Sequence, residues 1–261
     1  MIFAPKKSLG QNFLMHRQTA ERIVEAAMLP PGSTVLEIGP GTGMLTRALL
    51  AKASTVIAVE ADASLVSELA ETFKPEVEKG SLVLVHADIR NFEITTLPSP
   101  YHLVANIPYY ITGELLRTFL SSAHKPATMT FLVQKEVAER IARSTKESLL
   151  SIAVKAYGTP KYMFTVPRGA FVPAPSVDSA VLHIADISAT HFAHSEEEER
   201  FFTILRTGFA HKRKQLAKNL EAVAPKDKVK LALEHSGVLS TVRAEDLSLA
   251  LWLSLSKELR S

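Results

Sequence analysis

The sequence predicts an α/β protein: a parallel sheet with helices on both faces, followed by a small all-helical region. Three observations predict it. Short apolar runs alternate with helix-period segments from residue 35 to residue 143. The first run, Val35 to Ile38, breaks into a turn with glycines at alternate positions, Gly39, Gly41 and Gly43, before a helical pattern resumes. Four successive runs carry a polar residue at the same end: Glu37, Glu60, Asp88 and Asn106. In an open α/β sheet those ends form one crevice, the default ligand site of a Rossmann-like fold.

Residues 5–14 precede any periodic segment. Their lysines suit a solvated basic tail, but Gln11 and Asn12 beside the apolar Phe13 and Leu14 suggest a stretch that folds back and packs. A helix over 19–28 presents Ala20, Ile23, Val24 and Ala27 on one face and stops at Pro30-Pro31-Gly32. Strands are expected at 35–38, 55–60, 82–87, 101–106 and 128–133, with helices at 44–52, 62–73, 113–122 and 134–143. Asp62 is placed to cap the helix that starts near Ala63, which leaves Glu60 for another partner.

Residues 162–166 and 177–185 read as an antiparallel hairpin completing the sheet. Between them lies Phe171-Val172-Pro173-Ala174-Pro175, held extended by its two prolines. A linker over 189–195 leads to four helical segments, 196–209, 212–222, 226–236 and 245–258, so the domains are expected at 1–188 and 189–261. Lys212, Arg213, Lys214 and Lys218 form the densest basic patch, which is either a solvated helix face or a phosphate contact. His191 and His194 have a spacing that helical metal ligands use, but no third ligand lies near them and no metal is expected.

The 261 residues, 46% of them hydrophobic, suffice for one large core and a small one. A formal charge of +3 suits an anionic partner without deciding for one. With no cysteine, disulfides and thiolate zinc sites are excluded. No run approaches the roughly 18 apolar residues of a membrane span and the N-terminal stretch lacks a signal-peptide pattern, so a soluble cytoplasmic protein is expected.

The glycine turn lets backbone lie against a ligand that side chains would exclude. Its G-x-G-x-G spacing puts Met44 where a dinucleotide fingerprint needs glycine, which disfavours NAD. Glu60 stands where nucleotide-binding folds place the carboxylate that grips ribose hydroxyls. Glu37, at the end of a buried strand, either holds loop amides or receives a ligand's amino group, directly or through water.

EIGPGTG (37–43), Glu60, Asp88 and Asn106-Ile107-Pro108-Tyr109 together resemble the S-adenosylmethionine-dependent methyltransferases that modify the 6-amino group of adenine. With LGQNFL (9–14), QKEVAERI (134–141), FVPAPSVDSAVL (171–182), the basic stretch 209–220 and RAEDLS (243–248), the chain resembles the KsgA family over nearly its whole length. Those are the adenine dimethyltransferases of small-subunit ribosomal RNA. The resemblance implies an S-adenosylmethionine methyltransferase domain with a helical RNA-docking domain. It also implies a monomer that dimethylates two adjacent adenosines near the RNA 3′ end, on immature small subunits.

Residue by residue, the resemblance implies that Asn12 and Leu14 touch the methionine end of the cofactor, with Gln11 nearby. It surrounds the rest with Glu37, Gly39, Gly41, Gly43, Glu60 and Asn106, and makes Asp88 the acceptor for the cofactor's adenine amino group. Phe171 would sandwich the target base against Tyr109, and Lys212, Arg213, Lys214 and Lys218 would contact RNA. The chain departs from the family at Ile107 for leucine, at Tyr110 for an asparagine after the NLPY motif, and at KESLLS (146–151) for a Tyr-Gly-Arg-Leu-Ser run.

The target nitrogen is a poor nucleophile because its lone pair is delocalised into the adenine ring. Two acceptors, the Asn106 side-chain oxygen and the Pro108 carbonyl, would hold its hydrogens and favour a pyramidal nitrogen aimed at the methyl group. Tyr109 supplies a face for the extruded base. Two rivals stand beside this reading: a DNA adenine methyltransferase, whose motif usually carries two prolines before the aromatic, and a ribosome-assembly factor that docks RNA without essential catalysis.

Overall fold

The computed structural model describes residues 11–259; Lys6, Lys7, Leu9 and Gly10, the start of the N-terminal motif, lie outside the described residues. Strand β1 (Phe13–Leu14) and helix α1 (Arg17–Ala26) open the chain. Alternation then runs through β2 (Thr34–Ile38), α2 (Met44–Leu50), β3 (Thr55–Glu60), α3 (Ala63–Thr72), α4 (Lys74–Glu78), β4 (Leu82–His86) and β5 (Tyr101–Asn106). It continues with α5 (Thr112–Ser121), β6 (Thr128–Gln134), α6 (Lys135–Ala142), α7 (Leu149–Lys155), β7 (Thr159–Val166), β8 (Phe171–Val172) and β9 (Ser179–Ala185). Four helices close it: α8 (Ser195–Gly208), α9 (Leu216–Leu220), α10 (Lys226–His235) and α11 (Leu249–Glu258).

Seven strands form one sheet in the order β4-β3-β2-β5-β6-β9-β7. The pairs from β4 to β6 are parallel and β9 joins β6 antiparallel, with Phe131 opposite Leu182. The central strands are apolar runs because both faces are covered: β5 reads YHLVAN, and its first five residues are buried. Strand order reverses between β2 and β5, so the crevice opens at their carboxyl ends. The core around α1, α2 and the sheet includes Ile23, Val35, Leu49, Phe73 and Leu132.

Several expected elements differ, each for a local reason. The helix expected at 62–73 ends at Thr72, and α4 follows with Pro75 in its first turn, where the missing amide hydrogen costs nothing. The Phe171–Pro175 stretch is more than a connection, because β8 pairs antiparallel with β1 through Phe13 opposite Val172 and Leu14 opposite Phe171. Helix α7 was not expected; it is short, and Ser148 and Ser151 close a reciprocal cap at its start. The helix expected over 212–222 shrinks to α9, so Lys212, Arg213 and Lys214 sit on a loop rather than on a helix face.

The chain divides into two compact units, residues 1–138 with 160–187 and residues 139–159 with 188–261. The linear boundary expected at 188 is therefore crossed by residues 139–159, which pack with the C-terminal residues. Main-chain, ionic and aromatic contacts hold them there. Glu147 donates its main-chain N–H to Glu245 O at 2.8 Å, Lys146 pairs with Asp246, and the Tyr157 ring stacks on Phe202 at 5.5 Å. Within the second unit Trp252 is fully buried, and any side chain at Gly208 would run into its indole. Asn219 donates to the Gly208 and His211 carbonyls at 2.6 and 3.2 Å, which anchors the loop bearing the three basic residues.

Candidate active site

The strand ends named by the sequence converge in the first unit. Gln11, Asn12, Leu14, Gly39, Gly41, Glu60, Asp88, Asn106, Pro108, Tyr109 and Phe171 all line one cavity. Glu37 and Gly43 do not. The three glycines share a left-handed backbone with φ of +67°, +57° and +80°, yet they serve different ends. At Gly41 a Cβ would stand 2.9 Å from the Phe13 ring of β1, so the bare backbone lets the N-terminal strand close over the loop. At Gly43 a Cβ would strike Phe73 and Leu69, so the third glycine is needed to pack the start of α2 against α3 rather than to face a ligand.

Two buried carboxylates frame the loop in opposite ways. Glu60, 7% exposed at the end of β3, accepts from Gly41 N at 3.2 Å and Asp62 N at 3.0 Å, one bond to each oxygen. It is therefore the loop's anchor and is not free of partners, although each oxygen keeps a second lone pair toward the cavity it lines. Asp62 caps α3 as expected, accepting from Ser64 N at 3.1 Å. Burial raises the Glu60 pKa, opposed by those amide bonds.

Glu37 is fully buried, and neither of its oxygens has a hydrogen-bond partner among the described residues. Burial pushes its pKa up to about 8; the unpartnered Thr46 hydroxyl, near but not bonded, opposes the rise, and the Glu60 charge adds to it. Of the two roles open for Glu37, holding loop amides is not the one it plays: the amide of Gly41 goes to Glu60 instead.

Asp88 caps the turn after β4, accepting from Arg90 N at 2.9 Å, and its two oxygens also take the Arg90 guanidinium through Nε at 3.0 Å and Nη2 at 2.5 Å. These bonds hold its carboxyl below the usual range. Asn106 donates its side-chain amide to Asn12 O at 3.2 Å, which leaves Oδ1 without a protein partner among the described residues. The Tyr109 hydroxyl shares a 2.7 Å hydrogen bond with Ser179 Oγ of β9; burial, and more weakly Asp178, raise its pKa. Phe171 is only 3% exposed and belongs to the hydrophobic core, so just an edge of it reaches the cavity. Tyr110, by contrast, is 66% exposed at the rim.

The cavity thus combines acceptors, two carboxylates and the Asn106 oxygen, with apolar walls such as Ile38, Ile89 and Ile107. Among the described residues its one cation, Arg90, is already matched by Asp88. That acceptor set suits a ligand bearing hydroxyl and amino hydrogens. Ser179 has no local signal in the sequence, because it acts on Tyr109, 70 residues away. Among the described residues no group of three or more His, Cys, Asp or Glu is placed to hold a metal, and no helix is long and apolar enough to cross a membrane.

Comparison with known proteins decides the family. The family model described as ribosomal RNA adenine dimethylase matches residues 2–261. The chain belongs to that family. Its relatives include the ribosomal RNA small subunit methyltransferase A of Dehalococcoides mccartyi, 41% identical over 97% of this chain and 88% of that one. The protein of the same name from Streptococcus pneumoniae is 38% identical over 99% of this chain and 93% of that one. Among solved structures, the 23S rRNA methyltransferase ErmE aligns with a TM-score of 0.78 at 29% identity, covering 96% of this chain and all of that one. A dimethyladenosine transferase from Plasmodium falciparum aligns with a TM-score of 0.80 at 27% identity over 93% and 95% of the two chains.

Proposed function

We infer that this family member dimethylates the 6-amino groups of two adjacent adenosines near the 3′ end of small-subunit ribosomal RNA, with immature small subunits as substrate. S-adenosylmethionine supplies the activated methyl group. The residues present fit that cofactor: Glu37 has two orphaned buried oxygens behind the glycine turn, and the cavity offers acceptors where hydroxyl and amino donors need them.

In this reading Glu60 directs its remaining lone pairs to the ribose hydroxyls, Asp88 accepts the adenine amino group in exchange for one of its Arg90 side-chain bonds, and Gln11, Asn12 and Leu14 enclose the methionine end. Gly39 and Gly41 give the cofactor room. Asn106 Oδ1 and the Pro108 carbonyl hold the target nitrogen's hydrogens, and Tyr109 stacks on the base, with the edge of Phe171 behind it. No general base is needed, because the step rests on positioning an amine whose proton leaves after the methyl transfer. The observation that carries the reading is the Asn106–Asn12 hydrogen bond, which turns the catalytic amide so that its oxygen remains free beside the cofactor-binding turn. The second unit docks RNA through Lys212, Arg213 and Lys214; Lys218 contributes less, since Glu221 already pairs with it at 2.6 Å.

Methyl transfer from radiolabelled cofactor to immature small subunits, naked ribosomal RNA and duplex DNA tests the assignment. Label in the subunits at adenine supports it. Preference for duplex DNA would turn it to the DNA enzyme, and subunit binding without transfer would leave an assembly factor.

A further inference from the structure

We infer that Tyr110 is a stacking platform for the nucleobase beside the target adenosine, and so a substrate-binding residue; this rests on the function proposed above. Its neighbour Tyr109 is half-buried with its hydroxyl tied to Ser179, whereas Tyr110 is 66% exposed. Among the described residues its ring meets no other aromatic ring and its hydroxyl makes no hydrogen bond. Yet it is not loosely held: the 3₁₀ turn Tyr109–Ile111 carries it, Ile111 is buried beneath, and α5 starts at Thr112. A rigid backbone therefore presents an unoccupied aromatic face at the rim of the cavity that must take the target base.

The occupant follows from the reaction. Drawing an adenine into the cavity strips a stacking partner from each neighbouring base, and aromatic faces are how proteins recognise such splayed, single-stranded RNA. A phosphate is the weaker fit here, because the nearby Arg90 charge is matched by both Asp88 oxygens and Glu114 adds negative charge on the same side. A planar, uncharged ligand suits this rim; a backbone anion does not.

The test compares wild type with Tyr110→Ala, Tyr110→Phe and Tyr110→Asn on immature small subunits. The alanine and asparagine variants should raise KM by about 5- to 150-fold, the range of one base–aromatic stack, while Tyr110→Phe stays near wild type. Cofactor affinity by titration calorimetry and the salt dependence of subunit binding should not change, since no charge is lost. With 2-aminopurine next to the target adenosine, wild type and Tyr110→Phe should quench its fluorescence and Tyr110→Ala should not. A KM for Tyr110→Ala within twofold of wild type overturns the inference. So does quenching that survives in Tyr110→Ala alongside a raised KM, which would mean Tyr110 meets a ribosomal protein. A wild type that fails to methylate subunits removes the functional reading itself, whereas an active wild type indifferent to Tyr110 removes only this inference.

Discussion

The two halves of the cavity are built by different means. On the side proposed for the cofactor, Glu60 at the end of β3 grips two amides of the turns, and the buried Glu37 of β2 has no hydrogen-bond partner among the described residues. On the target side, Asn106 and Tyr109 are set by side-chain hydrogen bonds to segments remote in the chain, Asn12 and Ser179. The first half depends on local chain order and the second on tertiary pairing. Damage to the cofactor side should therefore appear as lost stability or ligand affinity, and damage to the target side as lost turnover in an otherwise intact protein.

The largest effect should come from Glu37. Its pKa is about 8 in the folded protein against 4.5 when free, so the folded state keeps a proton that the unfolded chain releases. Its contribution to stability is thus full below pH 4.5 and is lost as pH rises toward 8, a difference on the order of 5 kcal/mol. Glu37→Gln should become progressively more stable relative to wild type over that range, measured by urea unfolding at several pH values. Parallel curves for the two proteins would mean that Glu37 is ionised and partnered, and the contrast between the halves would blur.

Asn106→Ala should keep cofactor affinity and the melting temperature while turnover falls on the order of 100-fold, as when one aligned polar group is removed from a reacting centre. Calorimetry and single-turnover assays check it. Tyr109→Phe sharpens the same side: the stacking face stays while the Ser179 bond goes, so turnover should fall by less than for Tyr109→Ala, which also loses about 1–3 kcal/mol of stacking. In the second unit, changing Lys212, Arg213 and Lys214 together to alanine should lower the slope of log subunit affinity against log salt by about 0.7–0.9 per lost phosphate contact. Cofactor affinity should be unaffected.

The smallest effect expected is from two buried histidines, one on β5 and one on β9. His102 and His183 each share a hydrogen bond with a threonine, Thr128 at 2.9 Å and Thr130 at 3.0 Å, and burial lowers both pKa values. The unfolded chain takes up their protons first, so their contribution is present above pH 6.5 and fades as pH falls below it. Replacing both with glutamine should flatten the acid side of the stability profile.

What was legible in the sequence follows the same division. Runs such as TVLEI and TVIAVE read directly as buried parallel strands, and the carboxyl-end polar residues meet where chain order alone places them. The Asp62 cap was equally plain, because its partner lies two residues away. Gly43 reads in the sequence as part of the ligand-facing turn, and the side chains that crowd it, Leu69 and Phe73, come from α3 and its C-cap nearly thirty residues on, where no spacing announces them. Glu60 was expected to be free once Asp62 capped α3; nothing in the spacing told that the Gly41 amide would turn to it. The ribbon of β1 with β8 joins residues about 160 apart, and two-residue strands leave no periodicity to detect.

The excursion of residues 139–159 into the C-terminal unit has a consequence for how this chain comes off the ribosome. Those residues emerge before the segments they pack against, including α8 and the stretch around Glu245, so Ile152, Val154 and Tyr157 have to wait in water, apolar and uncovered. The nascent protein cannot finish its first unit and then begin its second. Completion of the sheet is therefore not enough to cover residues 139–159; the segments around Phe202 and Glu245 must be made first.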